Sequence, residues 1–186
     1  MKLLKLQLKT LKIFLVSNQQ TTYYKSPIGT TEIVGDENGI QSISILDDAS
    51  TASILSEVER LNIPKEVPTC LQDCVIQLEE YFAGTRTCFD LKLNPQGTEF
   101  QQKVWKELLN IPFNKVRTYL EQTKAIGDVK AIRAVASANG KNPIWIVIPC
   151  HRVIGSDGSL TGYAGGLWRK KWLLAHENPV KQQSLF

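Results

Sequence analysis

Two adjacent residues near the C-terminus, Cys150 and His151, have the types and the spacing for nucleophilic chemistry, and they sit directly behind Pro149. Cys150 follows the run Ile144-Trp145-Ile146-Val147-Ile148, five apolar residues rich in β-branched types. That run predicts a short buried strand or extended segment. Pro149 fixes its own φ, removes a donor and biases Ile148 toward extended geometry. The thiol is therefore delivered at a stiff position, as a nucleophile requires. A free thiol is only slightly ionised at neutral pH, and a nearby imidazole raises that fraction. A cysteine beside an apolar run also has the signature of a small core hydrophobe. Neighbouring residues of an extended chain point to opposite faces, so a direct Cys150–His151 pair requires a turn there or a bridging water.

The elements around this pair must hold it in place. Asn142-Pro143 opens the run, and asparagine there suits turn chemistry. Upstream, Asn94-Pro95-Gln96-Gly97 reads as a linker. Thr98 then reads as an N-cap, and Phe100, Val104, Trp105, Leu108 and Leu109 mark an amphipathic helix ending near Ile111-Pro112, with Trp105 in the core. Thr118 starts a short helix to about Ile126, Gly127-Asp128 breaks it, and Lys130 to Ala138 forms a second. Two helices across a tight glycine-containing turn follow the helix-turn-helix plan. The second helix is small and alanine-rich, including Ala131, Ala134 and Ala136, and only Arg133 is long and charged. A major-groove reader needs several Asn, Gln or Arg side chains at base edges. This helix suits close approach to a minor groove with one side chain to enter the stack; small residues that permit tight helix packing are the alternative. Taken alone, Tyr119 reads as half-buried core and Glu177 as a helix-end surface acid. Residues 155–159 and 161–166 form two turn-rich loops.

The N-terminal half has another character. Thr30–Val34 and Ile40–Leu46, punctuated by Ile28-Gly29 and Asp36-Glu37-Asn38-Gly39, predict a hairpin. Residues near 49–62 and 68–83 read as helices, the second with Leu71, Val75, Leu78 and Phe82 at helical spacing and closed by Gly84. Phe89, Leu91 and Leu93 alternate as a last strand. This half is an α/β unit without a catalytic constellation. The organisation expected is an N-terminal extension over 1–20, a small α/β support domain over 21–93, a second, mainly helical domain over 97–178, and a tail over 179–186. The extension interleaves leucine with lysine; it has no long uninterrupted apolar core and no small-residue cleavage site, so it does not read as a signal peptide. It is read as a strand, a surface helix or an artefact of start-codon choice. No stretch approaches a transmembrane span.

Composition bounds the partners. The chain has 186 residues, 42% hydrophobic and 22% charged, with net charge +4. Residues 1–96 hold 9 Lys and Arg against 12 Asp and Glu, whereas residues 97–186 hold 13 against 6. The half with the motifs is thus the basic one, which points to phosphate contact or to a solvated basic face. Four cysteines have no disulfide-scaffold density, so a reducing, cytoplasmic setting is expected. The chain has only two histidines, His151 and His176, and neither is near Cys70-x-x-x-Cys74. That pair is read as one face of a helix, and neither a metal nor a cofactor is expected.

The motif Pro149-Cys150-His151-Arg152-Val153, preceded by Asn142-Pro143 and an apolar run, resembles the active-site signature of the O6-alkylguanine-DNA alkyltransferases, also called methylated-DNA–protein-cysteine methyltransferases. The resemblance continues upstream through Arg133-Ala134-Val135. Downstream it extends through Gly162-Tyr163-Ala164-Gly165-Gly166 and Trp172-Leu173-Leu174-Ala175-His176-Glu177. It is dense over residues 97 to 178 and looser over 21 to 92. It implies a ribonuclease H-like α/β N-terminal domain, followed by a mainly helical, winged-helix or helix-turn-helix-like domain that binds DNA and transfers the alkyl group.

By that resemblance Cys150 is the nucleophile, His151 its base, Glu177 the carboxylate that orients the imidazole, and Asn142 the residue that knits the turn. Tyr119 rotates a phosphate and returns a proton to the departing base. Arg133 is a finger that fills the gap left by an extruded base, with Thr118, Ala131 and Ala136 on the DNA face. Trp145, Val153, Tyr163 and Ala164 wall the base pocket, Tyr163 stacking on the base and the backbone near Ala164 donating to its oxygen. Ala164 stands where many relatives have serine, and Trp145 where proline is frequent; a bulky indole there predicts reduced tolerance for large alkyl groups. The implied reaction moves an alkyl group from O6-alkylguanine, and from O4-alkylthymine, in duplex DNA to Cys150. The protein acts once, as a monomer, with double-stranded DNA as its partner and no membrane. The alternative in the same fold is a lesion-binding protein without transfer, which the presence of Cys150 disfavours. A cysteine hydrolase leaves the Arg133 helix without purpose, and the sparse base-reading side chains argue against a regulator.

Overall fold

A computed structural model of the protein describes residues 18–46 and 66–178, with a few positions between 49 and 56. The expectations for residues 1–17, for most of the helix near 49–62, and for the tail over 179–186 lie outside the described residues. The N-terminal half is a three-stranded antiparallel sheet: β1 (Gln20–Ser26), β2 (Gly29–Asp36) and β3 (Gly39–Ile45), in that spatial order. The hairpin is present, with β2 and β3 a residue or so longer at its turn than the apolar runs. β1 was not expected: its pattern of Gln, Thr, Tyr and Lys has little apolar content, and only its pairing with β2 makes it a strand. At the β2–β3 turn the Asp36 carboxylate accepts from Asn38 N at 2.7 Å, and Gly39 takes φ +129° hard against the Lys92 backbone, where no Cβ fits.

Helix α1 (Thr69–Phe82) lies across the sheet, and Ile28, Ile33, Ile43, Leu71 and Leu78 are fully buried in the core they share. Cys74 is buried and Cys70 partly so, as a helix face predicts. Phe89 to Leu93 is not a strand. A single parallel bridge joins Leu93 to Ile40, with Ile40 N donating to Lys92 O and Asn94 N to Ile40 O. The outer edge of β3 has room for more chain than this, and a second segment takes it: Ile43 N donates to Pro143 O and Trp145 N to Ile43 O. The N-terminal sheet thus anchors the turn that carries Asn142 and Trp145.

The C-terminal half contains α2 (Glu99–Leu108), β4 (Arg117–Thr118), α3 (Tyr119–Ile126), α4 (Ile132–Gly140), β5 (Val153–Ile154) and α5 (Leu167–Glu177). The expected cap, Thr98, forms a capping box with Gln101, and Thr118, read as the first residue of a helix, is itself a cap boxed with Glu121. Gly127 closes α3 at φ +96°. The second helix of the pair starts later than expected, because Val129–Ala131 is a 3₁₀ turn begun by Asp128. Gln122 and Asn139, both buried, exchange amide hydrogen bonds of 3.1 and 2.7 Å and lock α3 against α4. Trp105 is core, its indole donating to Ala138 O. Strands β4 and β5 pair in parallel, Arg117 with Val153 and Thr118 with Ile154, which brings the start of α3 beside the Cys150 turn.

Candidate active site

The apolar run before Cys150 is not a strand. Only Ile144 bridges to Ile43; the chain then turns, and Ile146 adopts φ +73°, a conformation that a β-branched residue adopts only under tertiary constraint. Asn142 supplies that constraint. Its Oδ1 accepts from Ile144 N at 3.1 Å, and its Nδ2 donates to Ile148 O at 2.8 Å and to Cys150 Sγ at 3.2 Å. Ile144, Ile146 and Ile148 still all point into the core. Local β propensity lost to burial of all three isoleucines and to satisfaction of the asparagine amide. Cys150 then opens a 3₁₀ turn, Cys150–Arg152, yet its thiol makes no hydrogen bond to the His151 imidazole.

Cys150 is 7% exposed. Burial pushes its thiol up, and the Asn142 amide, the Lys170 ammonium and the backbone N–H groups of Cys150 and His151 pull it back down. His151 is fully buried; desolvation holds its imidazole below the usual range against the opposing pull of Glu177. Its Nε2 lies 2.8 Å from Glu177 Oε1. The carboxylate is ionised, so Nε2 carries the proton and the lone pair is on Nδ1. Nδ1 is buried and meets no protein partner among the described residues. It is the free base position of the site.

Glu177 is the hub, and it is not a surface acid: it is 1% exposed. Oε1 accepts from His151 Nε2, Tyr81 OH at 2.8 Å and Arg152 Nη2 at 3.0 Å; Oε2 accepts from Arg152 Nε at 2.8 Å and Asn114 N at 3.3 Å. Burial alone would raise its pKa, but the donors from His151 and Arg152 outweigh that and hold it at about 2. Arg152 also donates to Ile111 O.

Tyr119 is half-buried, its hydroxyl 3.5 Å from Thr161 O. Burial raises its pKa against that hydrogen bond, so the phenol is a neutral donor. Lys170 is fully buried; its Nζ donates to Val153 O at 2.6 Å and Thr161 O at 2.9 Å and lies 5.9 Å from the Tyr119 ring centroid. Burial lowers it to about 8. Of the expected pocket residues, Trp145 and Tyr163 lie with ring centroids 5.7 Å apart, and a Cβ on Gly165 would strike the Trp145 ring. The Val153 side chain is buried, and Ala164 is exposed. On α4, Arg133, Ala134, Ala136 and Ser137 are exposed, while Val135, Ala138 and Asn139 face the core. Arg133 makes no hydrogen bond or ion pair among the described residues. Ala131 is half-buried, and the Thr118 hydroxyl is engaged in its capping box.

Three residues of the constellation escaped sequence reasoning. Arg152 sits inside the motif without an assigned role, and nothing local ties it to Glu177. Lys170 shares the buried stripe of α5 with Leu173 and Glu177 at i, i+3 and i+7, and a lysine within an apolar stripe was the available signal. Tyr81 lies 96 positions from Glu177, and no local pattern announces that contact.

Comparison with known proteins agrees with this geometry. The family model described as "6-O-methylguanine DNA methyltransferase, ribonuclease-like domain" matches residues 20–95, and the one described as "6-O-methylguanine DNA methyltransferase, DNA binding domain" matches 99–179. A methylated-DNA–protein-cysteine methyltransferase of Methanosarcina mazei is 48% identical over 159 residues, 84% of this chain and 96% of the relative. One from Mycolicibacterium paratuberculosis is 43% identical over 160 residues, covering 86% and 93%. The crystal structure of Mycobacterium tuberculosis OGT in complex with DNA is similar with TM-score 0.73 and 42% identity, covering 86% of this chain and 92% of that one. With both halves matched in order and the relatives nearly spanned, the chain belongs to the 6-O-methylguanine DNA methyltransferase family.

Proposed function

We propose that this protein repairs DNA directly, moving the alkyl group of O6-alkylguanine, and of O4-alkylthymine, in duplex DNA onto Cys150, once per molecule. The observation that carries the reading is the buried line Cys150–His151–Glu177, with the imidazole base position unpartnered and the thiol held by Asn142. A methyl carbon offers no carbonyl to polarise, so it requires a strong, polarisable nucleophile in line with the leaving oxygen, and a thiolate suits this. The Cys150 proton passes to His151 Nδ1 through a bridging water, since the two make no direct hydrogen bond. Glu177 stabilises the imidazolium, as in other nucleophile–base–acid series. The new bond is S–C and the broken bond is C–O6. The departing guanine takes a proton from the Tyr119 phenol, which regains one from the imidazolium through solvent. Thiol and alkylguanine thus become thioether and guanine, with no cofactor consumed. Lys170 favours the thiolate by its charge and, through Thr161 O, fixes the loop facing Tyr119.

The thiol is only 7% exposed, so the base must leave the helix stack to meet it; a damaged, weakly paired base is the cheaper one to extrude. Arg133, exposed on the small-residue face of α4, takes the vacated place, with Ala136 permitting close approach and Thr118 and Ala131 flanking it. Trp145, Tyr163, Val153 and Ala164 wall the pocket. A monomer suffices, and the four free cysteines suit a reducing cytoplasm. No helix among the described residues is long and apolar enough to cross a membrane.

Intact-protein mass after mixing with an excess of duplex bearing one O6-methylguanine tests the reading. One methyl group per protein, absent from Cys150→Ala, is expected. Tight lesion binding with no mass gain would make the protein a lesion recogniser instead.

A further inference from the structure

Among its described residues the N-terminal domain has no catalytic constellation of its own, yet one of its side chains reaches the reaction centre. Tyr81, on α1, is fully buried and donates its phenol to Glu177 Oε1 at 2.8 Å. Its own backbone carbonyl accepts from His176 Nε2 at 2.7 Å, so one residue grips two successive residues at the end of α5. The ring is fixed by Phe82, Phe89, Phe113 and His176, with centroids 5.1 to 6.3 Å away. His176 is in turn stacked on Trp172 at 5.0 Å. A residue needed only for packing would serve as phenylalanine; this one spends a buried hydroxyl on the same oxygen that His151 uses.

We propose that Tyr81 is a positioning residue for alkyl transfer: from across the domain boundary its phenol holds Glu177 Oε1 and sets how strongly that carboxylate draws on His151. The inference rests on the reading of Cys150, His151 and Glu177 given above. A donor to a carboxylate takes up part of its charge. With Tyr81 bound, Oε1 is shared between the phenol, Arg152 Nη2 and His151, and the imidazole stays neutral and able to accept the thiol proton. Without it, the imidazolium is better stabilised, and His151 enters the reaction already protonated at a higher pH. The groups facing this pair are Tyr81 from α1, Cys150 and Arg152 from the 3₁₀ turn, Asn114 N from the preceding loop, and Lys170 and His176 from α5. Only Tyr81 among them is a neutral side-chain donor to the carboxylate. Burial, and next the Glu177 charge, hold its phenol well above its ordinary range, so it remains a donor throughout the working pH.

The test uses the full chain and single-turnover transfer from O6-methylguanine, as free base and in duplex, followed from pH 5 to 9. Tyr81→Phe keeps the ring contacts and removes one hydroxyl. Its acid limb is expected to move up by about half a pH unit or more, equally on both substrates, with duplex affinity unchanged. A fluorotyrosine placed at the same position strengthens the donor and moves the limb the other way; should Tyr81→Phe not fold, this analogue decides alone. An acid limb unmoved in both, with only thermal stability altered, would reduce Tyr81 to a packing residue and overturn the inference while leaving the transfer reading intact. A wild-type chain that gains no methyl group would overturn both.

Discussion

Replacing Glu177 by glutamine keeps the shape of a side chain that is 1% exposed and removes its charge. The carboxylate accepts from His151, Tyr81, Asn114 and, with both oxygens, Arg152. A carboxamide has one oxygen, and its NH₂ is itself a donor. Whichever way it turns, donors face donors, and the buried Arg152 guanidinium loses its counter-charge. Two routes size the loss. A carboxyl drawn from 4.5 to about 2 by its surroundings contributes about 3 kcal/mol to folding. Removing one partner of a buried ion pair costs roughly 3–5 kcal/mol. Glu177→Gln should therefore unfold with about 3 kcal/mol less stability at pH 7. Because the folded pKa lies below the unfolded one, the contribution is complete above about pH 5 and fades as pH falls toward 2; by pH 3 about half or less remains. Urea unfolding of both proteins at pH 7, 5 and 3 measures it. A difference under 1 kcal/mol at pH 7, or one that stays constant down to pH 3, would refute the account of Glu177 as an ionised hub. Single-turnover transfer should fall by about 100-fold or more, since His151 loses the partner that fixes its tautomer.

Arg133→Ala should slow repair in duplex DNA while sparing the free base, because the proposed finger role has the exposed guanidinium meet DNA and not the thiol; equal loss on both, measured by single-turnover rates, would remove the finger role. Trp145, in contact distance of Tyr163 and crowding Gly165, should make transfer from benzylguanine slower than from methylguanine, and Trp145→Ala should narrow the gap; equal wild-type rates would sink the pocket argument. Lys170 is charged below its pKa of about 8, so transfer should decline as pH rises through that value, and Lys170→Met should lower the plateau several-fold; a wild-type rate profile flat from pH 7 to 9 would show that its charge does not act on the thiolate.

The sequence by itself singled out Cys150 behind Pro149 as a candidate nucleophile, and it determined the helix-turn-helix and the charge division between the halves. Each is a local matter. A capping box needs four residues, an amphipathic stripe two turns, and a proline restricts its neighbour whatever lies beyond. Tertiary structure decided the rest. The run Ile144–Ile148 has strand composition and became a turn, because Asn142 satisfies its backbone and only the start of the run, around Ile144, reaches the edge of β3 that Leu93 shares. β1 has weak apolar content and became a strand, because β2 offered an edge. Glu177 has the local signature of a surface acid and became the buried hub, since its partners arrive from α1, from the loop at Asn114 and from the 3₁₀ turn. No window along the chain contains those partners together. A carboxylate's state depends on the donors around it in space, so its role emerged only when the two halves were folded against each other.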